Sequence, residues 1–392
     1  MQSKIPFNKP FTTGKELEYI ASLISERTIG ADGVFTRRIE SLLEERFSIP
    51  RVLMTTSCTA ALEMGAMLCD LKTDDEVIMP SFTFVSTANA VLRAGATPVF
   101  VDIRPDTLNI DERLIEKSIT PNTRAIFPVH YAGVSCEMDR IMELADKHEL
   151  FVVEDAAQGV NAFCNDRALG SIGHLGAYSF HDTKNYVCGE GGALCVNSAD
   201  FLERAEIIRE KGTNRSQFFR GEIDKYTWVD IGSSFLPAEI VSAFLYAQLE
   251  AMDEITTRRR DVYQFYAENL TPLEERELLT FPRPPRGCQS NYHMFYVLLG
   301  DGKTRDGLMA HLKQNGISAV FHYVPLHTSA MGQRLGYHEG DLPLTEDLSA
   351  RLLRLPFYAD ITRDEQMRVV RCLSEFFDRT GVASPVLSVQ QR

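Results

Sequence analysis

The sequence predicts an α/β protein: a mostly parallel central sheet covered on both faces by helices, with a smaller C-terminal α+β domain. Three observations predict it. Short aliphatic runs alternate with stretches of helical spacing through the first two hundred residues, the pattern of strands joined by crossover helices. A Pro-rich break, TFPRPPRG at 280–287, interrupts that pattern, and strand and helix signals resume beyond it. The length of 392 residues exceeds one ordinary domain. The expected division is a large domain over 1–250, carrying an N-terminal arm, and a small domain over 251–392.

In chain order, the Pro-flanked arm Ile5-Pro6-Phe7-Asn8 precedes a helix near 14–26, and arms of this kind often pack on a neighbouring subunit. A loop over 30–36 leads to a helix over 37–47. A strand over 52–56 turns through Ser57-Cys58-Thr59 into a helix with apolar residues at Leu62, Met64, Met67 and Leu68. A strand over 76–79 stops at Pro80, before a helix over 84–92. Strands over 98–102 and 124–130 and a helix over 137–148 follow. Phe151-Val152-Val153 reads as a buried strand ending in Glu154-Asp155. Gly170, Gly173 and Gly176 mark a turn-rich stretch. A strand follows at 177–180, another at 192–197 and a helix at 200–211. The polar and aromatic stretch 214–226 reads as a long loop, and such loops are often functional. One long helix over 237–270 bridges to the small domain. That domain reads as strand 293–299, helix 305–315, strand 317–323 and helix 364–379. The tail VASPVLSVQQR is expected to fray.

Composition narrows the function. Hydrophobic residues at 44% and charged residues at 24% are ordinary for a globular chain. A net charge of −13 argues against nucleic acid and anionic membrane surfaces as main partners, which require a basic face. It leaves room for an anionic small ligand at a local positive site. The first ten residues lack the apolar core of a signal peptide, and no run approaches the ~18 apolar residues of a membrane span. The 8 cysteines form no C-x-x-C pair, so free thiols in a reducing cytoplasm are expected, without disulfides or a metal site. Neither a G-K-[ST] nor a G-x-G-x-x-G sequence occurs, which weakens nucleotide-triphosphate and dinucleotide readings.

The chemistry-bearing stretch is 151–192. Asp155 closes a buried strand, where ligands of α/β proteins bind. Lys184 follows the next strand, and Gly189, Gly191 and Gly192 free the backbone behind it. A lysine amine and a strand-end carboxylate in this arrangement point to pyridoxal phosphate. That cofactor attaches to a lysine, and an acid partners its pyridinium nitrogen. Its phosphate needs an anion site. The turn Thr56-Ser57-Cys58-Thr59 opens a helix whose free N–H groups and dipole make one, with Cys58 and Thr59 as donors; the alternative is a plain Ser/Thr cap. Ser179 is a second phosphate donor or a strand serine bonded to backbone. Phe84 stacks on the ring or fills the core. Gln158 bonds the ring hydroxyl or serves a turn. His130 closes a strand at the same edge and reads as a structural histidine. Asn214, Arg215 and Tyr323 are the candidates for substrate contact, Arg215 through its planar fork.

These residues, in this order, resemble the DegT/StrS-type sugar-nucleotide aminotransferases. The matching segments are TSCTAALEM (56–64), PSFTFVSTANAV (80–91), FVVEDAAQG (151–159) and SFHDTKN (179–185). The resemblance implies the aspartate aminotransferase-like fold, type I of the pyridoxal-phosphate-dependent transferases. It implies Lys184 as the cofactor's lysine, Asp155 at the pyridinium, Gln158 at the ring hydroxyl and Phe84 in stacking. It implies Ser179 and the Cys58-Thr59 turn at the phosphate. It also implies a homodimer with shared active sites. A further likeness within the family is carried by IPFNKP, GVFTRR (33–38), KGTNRSQFFRGEIDKYTW (211–228) and VFHYVPLH (320–327). That likeness implies L-glutamate as amine donor and a dTDP-linked 4-keto-6-deoxyhexose as acceptor. Many members carry Gly-x-Asn-x-Arg where this chain has Gly232-Ser233-Ser234-Phe235-Leu236. Ser234 keeps one donor for the phosphate of the adjacent subunit, and the arginine is lost at Leu236. A branch of the family with histidine in place of the lysine is excluded by Lys184. Two other readings stay open: amination at C3 of a dTDP-3-keto-6-deoxyhexose, and a non-catalytic regulatory protein on the same fold.

Overall fold

The computed structural model describes residues 3–380. The C-terminal tail expected to fray lies outside them.

Two helices open the large layer, α1 (Glu16–Glu26) and α2 (Val34–Phe47). Helix α2 buries Phe35, Ile39, Leu43 and Phe47, a stripe at helical spacing. It begins at Val34, ahead of the expected 37. The reason is Glu239, distant in sequence, whose carboxylate accepts from the amides of Gly33 (2.9 Å), Phe35 (2.8 Å) and Thr36 (3.1 Å). These are donors that a helix start leaves unpaired.

The alternating region then runs β1 (Arg51–Thr55), α3 (Cys58–Leu68), β2 (Glu76–Pro80), α4 (Val85–Arg93), β3 (Thr97–Val101), a short α5 (Glu112–Ile115) that was not expected, β4 (Thr123–Ile126), which stops before the expected 130, α6 (Met138–His148) and β5 (Phe151–Asp155). A hairpin, β6 (Phe163–Cys164) and β7 (Arg167–Ala168), precedes β8 (Leu175–Ser179) and β9 (Gly192–Val196). The sheet order is β1-β9-β8-β5-β4-β2-β3. Its pairs are parallel except those of β9, which runs antiparallel to β1 and β8. Val152, Val153, Leu175, Ala177 and Leu194 are fully buried, because helices cover both faces.

Helix α7 (Leu202–Arg209) follows, and the expected loop at 214–226 contains a short helix, α8 (Arg215–Phe219). The single helix expected over 237–270 is two, α9 (Glu239–Glu250) and α10 (Met252–Glu275). Ala251 breaks them with φ −95° and ψ 16°. No breaker residue stands there. The bend keeps Leu245 and Leu249 of α9 and Met252 and Ile255 of α10 in one core.

A second, 3-stranded sheet has the order β10-β12-β13. It is built from β10 (Leu279–Thr280), β12 (Tyr296–Leu299) and, after α11 (Gly302–Gln314), α12 (Ala330–Arg334) and α13 (Pro343–Arg351), from β13 (Leu352–Arg354). Strand β11 (Cys288–Gln289) joins the β6–β7 hairpin instead, and α14 (Arg363–Thr380) closes the domain. The strand expected at 317–323 does not form. Ile317 and Val320 make only single bridges, to Ile5 and Arg354, and the chain then turns into an aromatic cluster. The arm packs on its own chain: Ile5 is fully buried in the core formed by β10, β12, α11 and α14. All 8 cysteines are free thiols. Among the described residues no helix is long and apolar enough to cross a membrane.

Candidate active site

The strand register brings four segments of the chain to one edge of the sheet. Thr55 and Ser179 both pair with Gly192, and Asp155 pairs with Ala177. The end of β1, the start of β9, the end of β8 and the end of β5 therefore stand side by side. Adjacent strands are about 4.8 Å apart.

At the first position the chain turns into α3. Ser57 caps that helix by accepting from the Ala60 amide at 3.1 Å. The cap leaves the amides of Cys58 and Thr59 aimed out of the helix end. Gly192 permits this approach, since a Cβ there would lie 2.4 Å from the Cys58 nitrogen. The Thr59 hydroxyl hydrogen-bonds that of Ser86 at 2.7 Å. The Ser cap, posed above as the alternative to an anion site, is present and leaves both amides open to a ligand.

Asp155 is buried and held at both oxygens. Thr87 donates to Oδ2 at 2.7 Å and the Ala157 amide to Oδ1 at 3.1 Å. Lys184 is half-buried, and its amine has no hydrogen bond or ion pair among the described residues. Burial lowers its pKa below the ordinary lysine value, and Arg354 lowers it further, while Cys58 and Asp155 oppose the shift. Burial, reinforced by Asp155, pushes the Cys58 thiol well up, so it stays protonated. Lys184, Gln158, Ser179, Asn291 and His293 line one narrow cavity.

Gln158 is committed within the chain. Its Oε1 accepts from the Ala132 amide at 2.6 Å and its Nε2 donates to the Tyr323 hydroxyl at 2.9 Å, so one N–H remains for a ligand. Tyr323 stacks on His322 at 3.7 Å between ring centroids. Phe84, at the start of α4, has its ring 6.3 Å from that of Tyr323 and is 56% exposed, so it does not fill the core. Asn185 donates to Asn291 O at 2.7 Å, and Asn291 donates to the carbonyls of Gln158 and Val160. The residue after the lysine is thereby fastened to the segment that leads into β12.

The remaining candidates are held by contacts of their own. His130 Nδ1 accepts from the Cys136 amide, so the ring proton is on Nε2, which faces Glu154 at 2.7 Å. Glu154 also accepts from the amides of Gly170, Ile172 and Gly173. The pair is structural, as expected, and organises the glycine turn. Ser234 is exposed, on a segment fixed near the site by the bond from Thr56 N to Phe235 O at 2.8 Å. Asn214 accepts from the Thr227 amide at 2.8 Å, and the Arg215 guanidinium sits 4.9 Å over Phe219. Both contacts order their own excursion, the segment after α7.

A model of the DegT/DnrJ/EryC1/StrS aminotransferase family matches residues 11–374. The chain belongs to that family. Its sequence is 34% identical over 319 residues to a protein of Geobacillus stearothermophilus named pleiotropic regulatory protein, covering 81% of this chain and 82% of that one. The fold is similar to that of DesV of S. venezuelae, solved in complex with a ketimine intermediate. That match has a TM-score of 0.86 at 30% identity and covers 96% of this chain and 99% of the other. The sugar aminotransferase Spr1654 of Streptococcus pneumoniae, named as putative and solved in its PLP form, shares the fold with a TM-score of 0.88 at 22% identity. It matches over 96% of this chain and 99% of its own. The DegT/DnrJ/EryC1/StrS chain is thus an aminotransferase with fold type I of the pyridoxal-phosphate-dependent transferases.

Sequence reasoning missed Thr87, Asn185, Asn291 and Arg354. Thr87 carried a signal: it stands three residues after Phe84, on the first turn of a helix that opens at a strand end. The others become neighbours only when the small domain folds back, and local spacing carries no trace of that.

Proposed function

We propose that the chain is a pyridoxal-phosphate-dependent sugar-nucleotide aminotransferase. In this reading it transfers the amine of L-glutamate to C4 of dTDP-4-dehydro-6-deoxy-D-glucose, giving dTDP-4-amino-4,6-dideoxy-D-galactose and 2-oxoglutarate. The observation that carries it is the meeting of three features at one sheet edge: the unpaired amine of Lys184, the clamped carboxylate of Asp155 and the open N-terminus of α3.

The donor set fits the cofactor's three functional ends. Cys58 and Thr59 amides, with Ser179, hold its phosphate, and Ser234 of a second copy adds one donor. Asp155 presents a fixed negative charge to the ring nitrogen. Gln158 offers its free N–H to the ring hydroxyl, and Phe84 covers one face. When bound, pyridoxal phosphate supplies an aldehyde for the incoming amine and a ring that accepts electron density as a C–H proton leaves. Lys184 is the group placed to move that proton. A lowered pKa leaves more of its amine unprotonated and able to act as base.

The acceptor and donor rest on the likeness of segments 33–38, 211–228 and 320–327, which also implies a place in enterobacterial common antigen or O-antigen assembly in the cytoplasm. A homodimer with shared sites and a division into 1–250 and 251–392 belong to the same proposal. Borohydride should fix the cofactor on Lys184, detected by peptide mass, and Lys184→Ala protein should be colourless. The sugar product, analysed by NMR, should carry its amine at C4, and a 3-amino sugar would replace this reading with its C3 rival. The Geobacillus relative's name favours a second reading, a cofactor-loaded regulator. Such a protein would release no 2-oxoglutarate from glutamate in a single turnover.

A further inference from the structure

We infer that Cys164 and Cys288 form a site of reversible oxidation, closed to a disulfide by a peroxide and reopened by a dithiol. The bond staples the β6–β7 hairpin to the segment that leads into β12. Neither the cofactor nor the transfer reaction takes part in it.

The two cysteines face each other across short antiparallel strands. Cys288 of β11 pairs with Cys164 of β6, and Gln289 with Phe163. One rung further, the Asn165 amide donates to Gly287 O at 3.0 Å. The Cys288 amide donates to Pro285 O at 3.1 Å rather than across the ladder. Hydrogen-bonded rungs alternate with open ones in an antiparallel pair, so the cysteines occupy an open rung. There the Cα atoms stand about 4.5 Å apart and the side chains lie closest. Disulfides span Cα separations of roughly 4.4–6.8 Å, so this rung can be bridged without moving the backbone. The Cys288 thiol already reaches Sγ of Cys164 at 2.7 Å. The hairpin sets this position: Asn165 and Asp166 have φ of 48° and 61°, the two left-handed residues of a type I′ turn, and pin β6 to β7.

The pair is also reachable. Cys164 and Cys288 are half-buried, whereas Cys69, Cys136, Cys195 and Cys372 are buried. Cys58 and Cys188 are half-buried too, but among the described residues neither has a sulfur partner to close on. Burial, and then the hydrogen bond with Cys164, push the Cys288 thiol up to about 12. It therefore keeps its proton and directs it at Cys164, which is the sulfur that meets the oxidant.

The Cys164 sulfur attacks one oxygen of hydrogen peroxide. An S–O bond forms, the O–O bond breaks, and the departing hydroxide leaves as water with the proton from that sulfur. The Cys288 sulfur then attacks the sulfenic sulfur. The S–S bond forms, the S–O bond breaks, and a second water carries off the Cys288 proton. Each sulfur gives up one electron and each peroxide oxygen takes one. A dithiol reverses the closure through a mixed disulfide and is itself oxidised.

What the bond holds is a slender join. Strand β11 meets β6 over two residue pairs. Three positions after Cys288, Asn291 donates to Gln158 O and Val160 O at 2.8 Å and accepts at its carbonyl from Asn185 at 2.7 Å. Because the strands already pair, closure leaves these contacts where they are. It acts on the unfolded chain, in which it ties together residues 124 positions apart, and a long tie removes the most freedom.

The test treats the holoenzyme with a few equivalents of hydrogen peroxide, then unfolds and alkylates it. Untreated protein should take label at all 8 cysteines. Treated protein should leave this pair unlabelled, with the Cys164 and Cys288 peptides joined in a tryptic mass map, and dithiothreitol should restore both labels. The thermal midpoint of the oxidised protein should rise by about 5 °C. Cys164→Ser and Cys288→Ser proteins should show neither the joined peptide nor the rise. Cys188→Ser, altered at a half-buried thiol outside the pair, should show both. Sulfinic acid at either position without a joined peptide would overturn the inference, as would a disulfide between two chains. A joined peptide with an unchanged midpoint would overturn the staple.

Discussion

Lys184, the base of the proposed reaction, is held where a charge is unwelcome. Burial and Arg354 lower its pKa from the ordinary value of about 10.5. Between that lowered value and the ordinary one the unfolded chain binds more protons than the folded chain, so apoprotein stability rises with pH across that window. Below it the folded state bears the full cost of a desolvated ammonium. Lys184→Met apoprotein should therefore resist urea better than wild type at pH 7, and the advantage should shrink as pH approaches 10.5. A midpoint difference that ignores pH would show the amine to be well solvated. Asp155 depends on Thr87 in turn. Hydrogen bonds to charged groups are worth about 1.5–3 kcal/mol, so Thr87→Val should slow turnover at saturating glutamate by roughly tenfold or more while the cofactor stays bound. Thr87→Ser should restore the rate, and an unimpaired Val variant would remove Thr87 from the site. Asp155 and Lys184 could be singled out in the sequence because the first closes a strand and the second stands five positions past the end of another. Thr87 was hidden because it lies 68 positions from the carboxylate it holds.

At the level of elements, the alternation of strands and helices could be read residue by residue, but the points where elements touch could not. The start of α2 depends on Glu239, which is fully buried and lies 206 positions from Gly33. Glu239→Ala would leave three amides of that helix start in a dry place. It should cost about 2–4 kcal/mol, measured as a lowered urea midpoint, with activity at low temperature retained. A loss below ~1 kcal/mol would mean water replaces the carboxylate. The junction of β9 and α3 is tighter. A methyl at Gly192 would meet the backbone of Ser57 and Cys58 at 2.4 Å, and backbone cannot swing aside as a side chain can. Gly192→Ala should push the helix start away from the sheet and weaken cofactor retention on dialysis at least tenfold, roughly 1.4 kcal/mol. Normal retention would show the anion site to lie elsewhere. The break at Ala251 and the missing strand at 317–323 were illegible for one reason. Local composition favoured a continuous element, and packing against Met252 and Ile255, or pairing with a single residue of the arm, overrode it.

The whole molecule joins several hydrophobic clusters and leaves large apolar side chains open to solvent. Ile5 inserts into the core formed by β10, β12, α11 and α14, so the arm ties the chain's beginning to its small domain and, through Asn8, to the lysine loop. On the excursion that follows α7, Phe219 is 67% exposed, Trp228 72% and Ile231 71%. Large side chains gathered on one excursion are an expensive thing to show to water, at about 1.5–3 kcal/mol each. Under the dimer proposal a second copy covers them. The chain has 1 tryptophan, so Trp228 reports on that surface without labelling. At micromolar concentration, sedimentation should give twice the chain mass of 44.1 kDa, with tryptophan emission shifted to the blue. Ile231→Asp places a charge in the buried contact while leaving the probe intact, and should yield a monomer whose emission moves to the red. Because Ser234, the donor proposed for the other copy's phosphate site, stands three positions after Ile231, separation should also weaken cofactor binding. A wild-type protein that sediments at 44.1 kDa with water-exposed emission would mean that each chain builds its phosphate site alone.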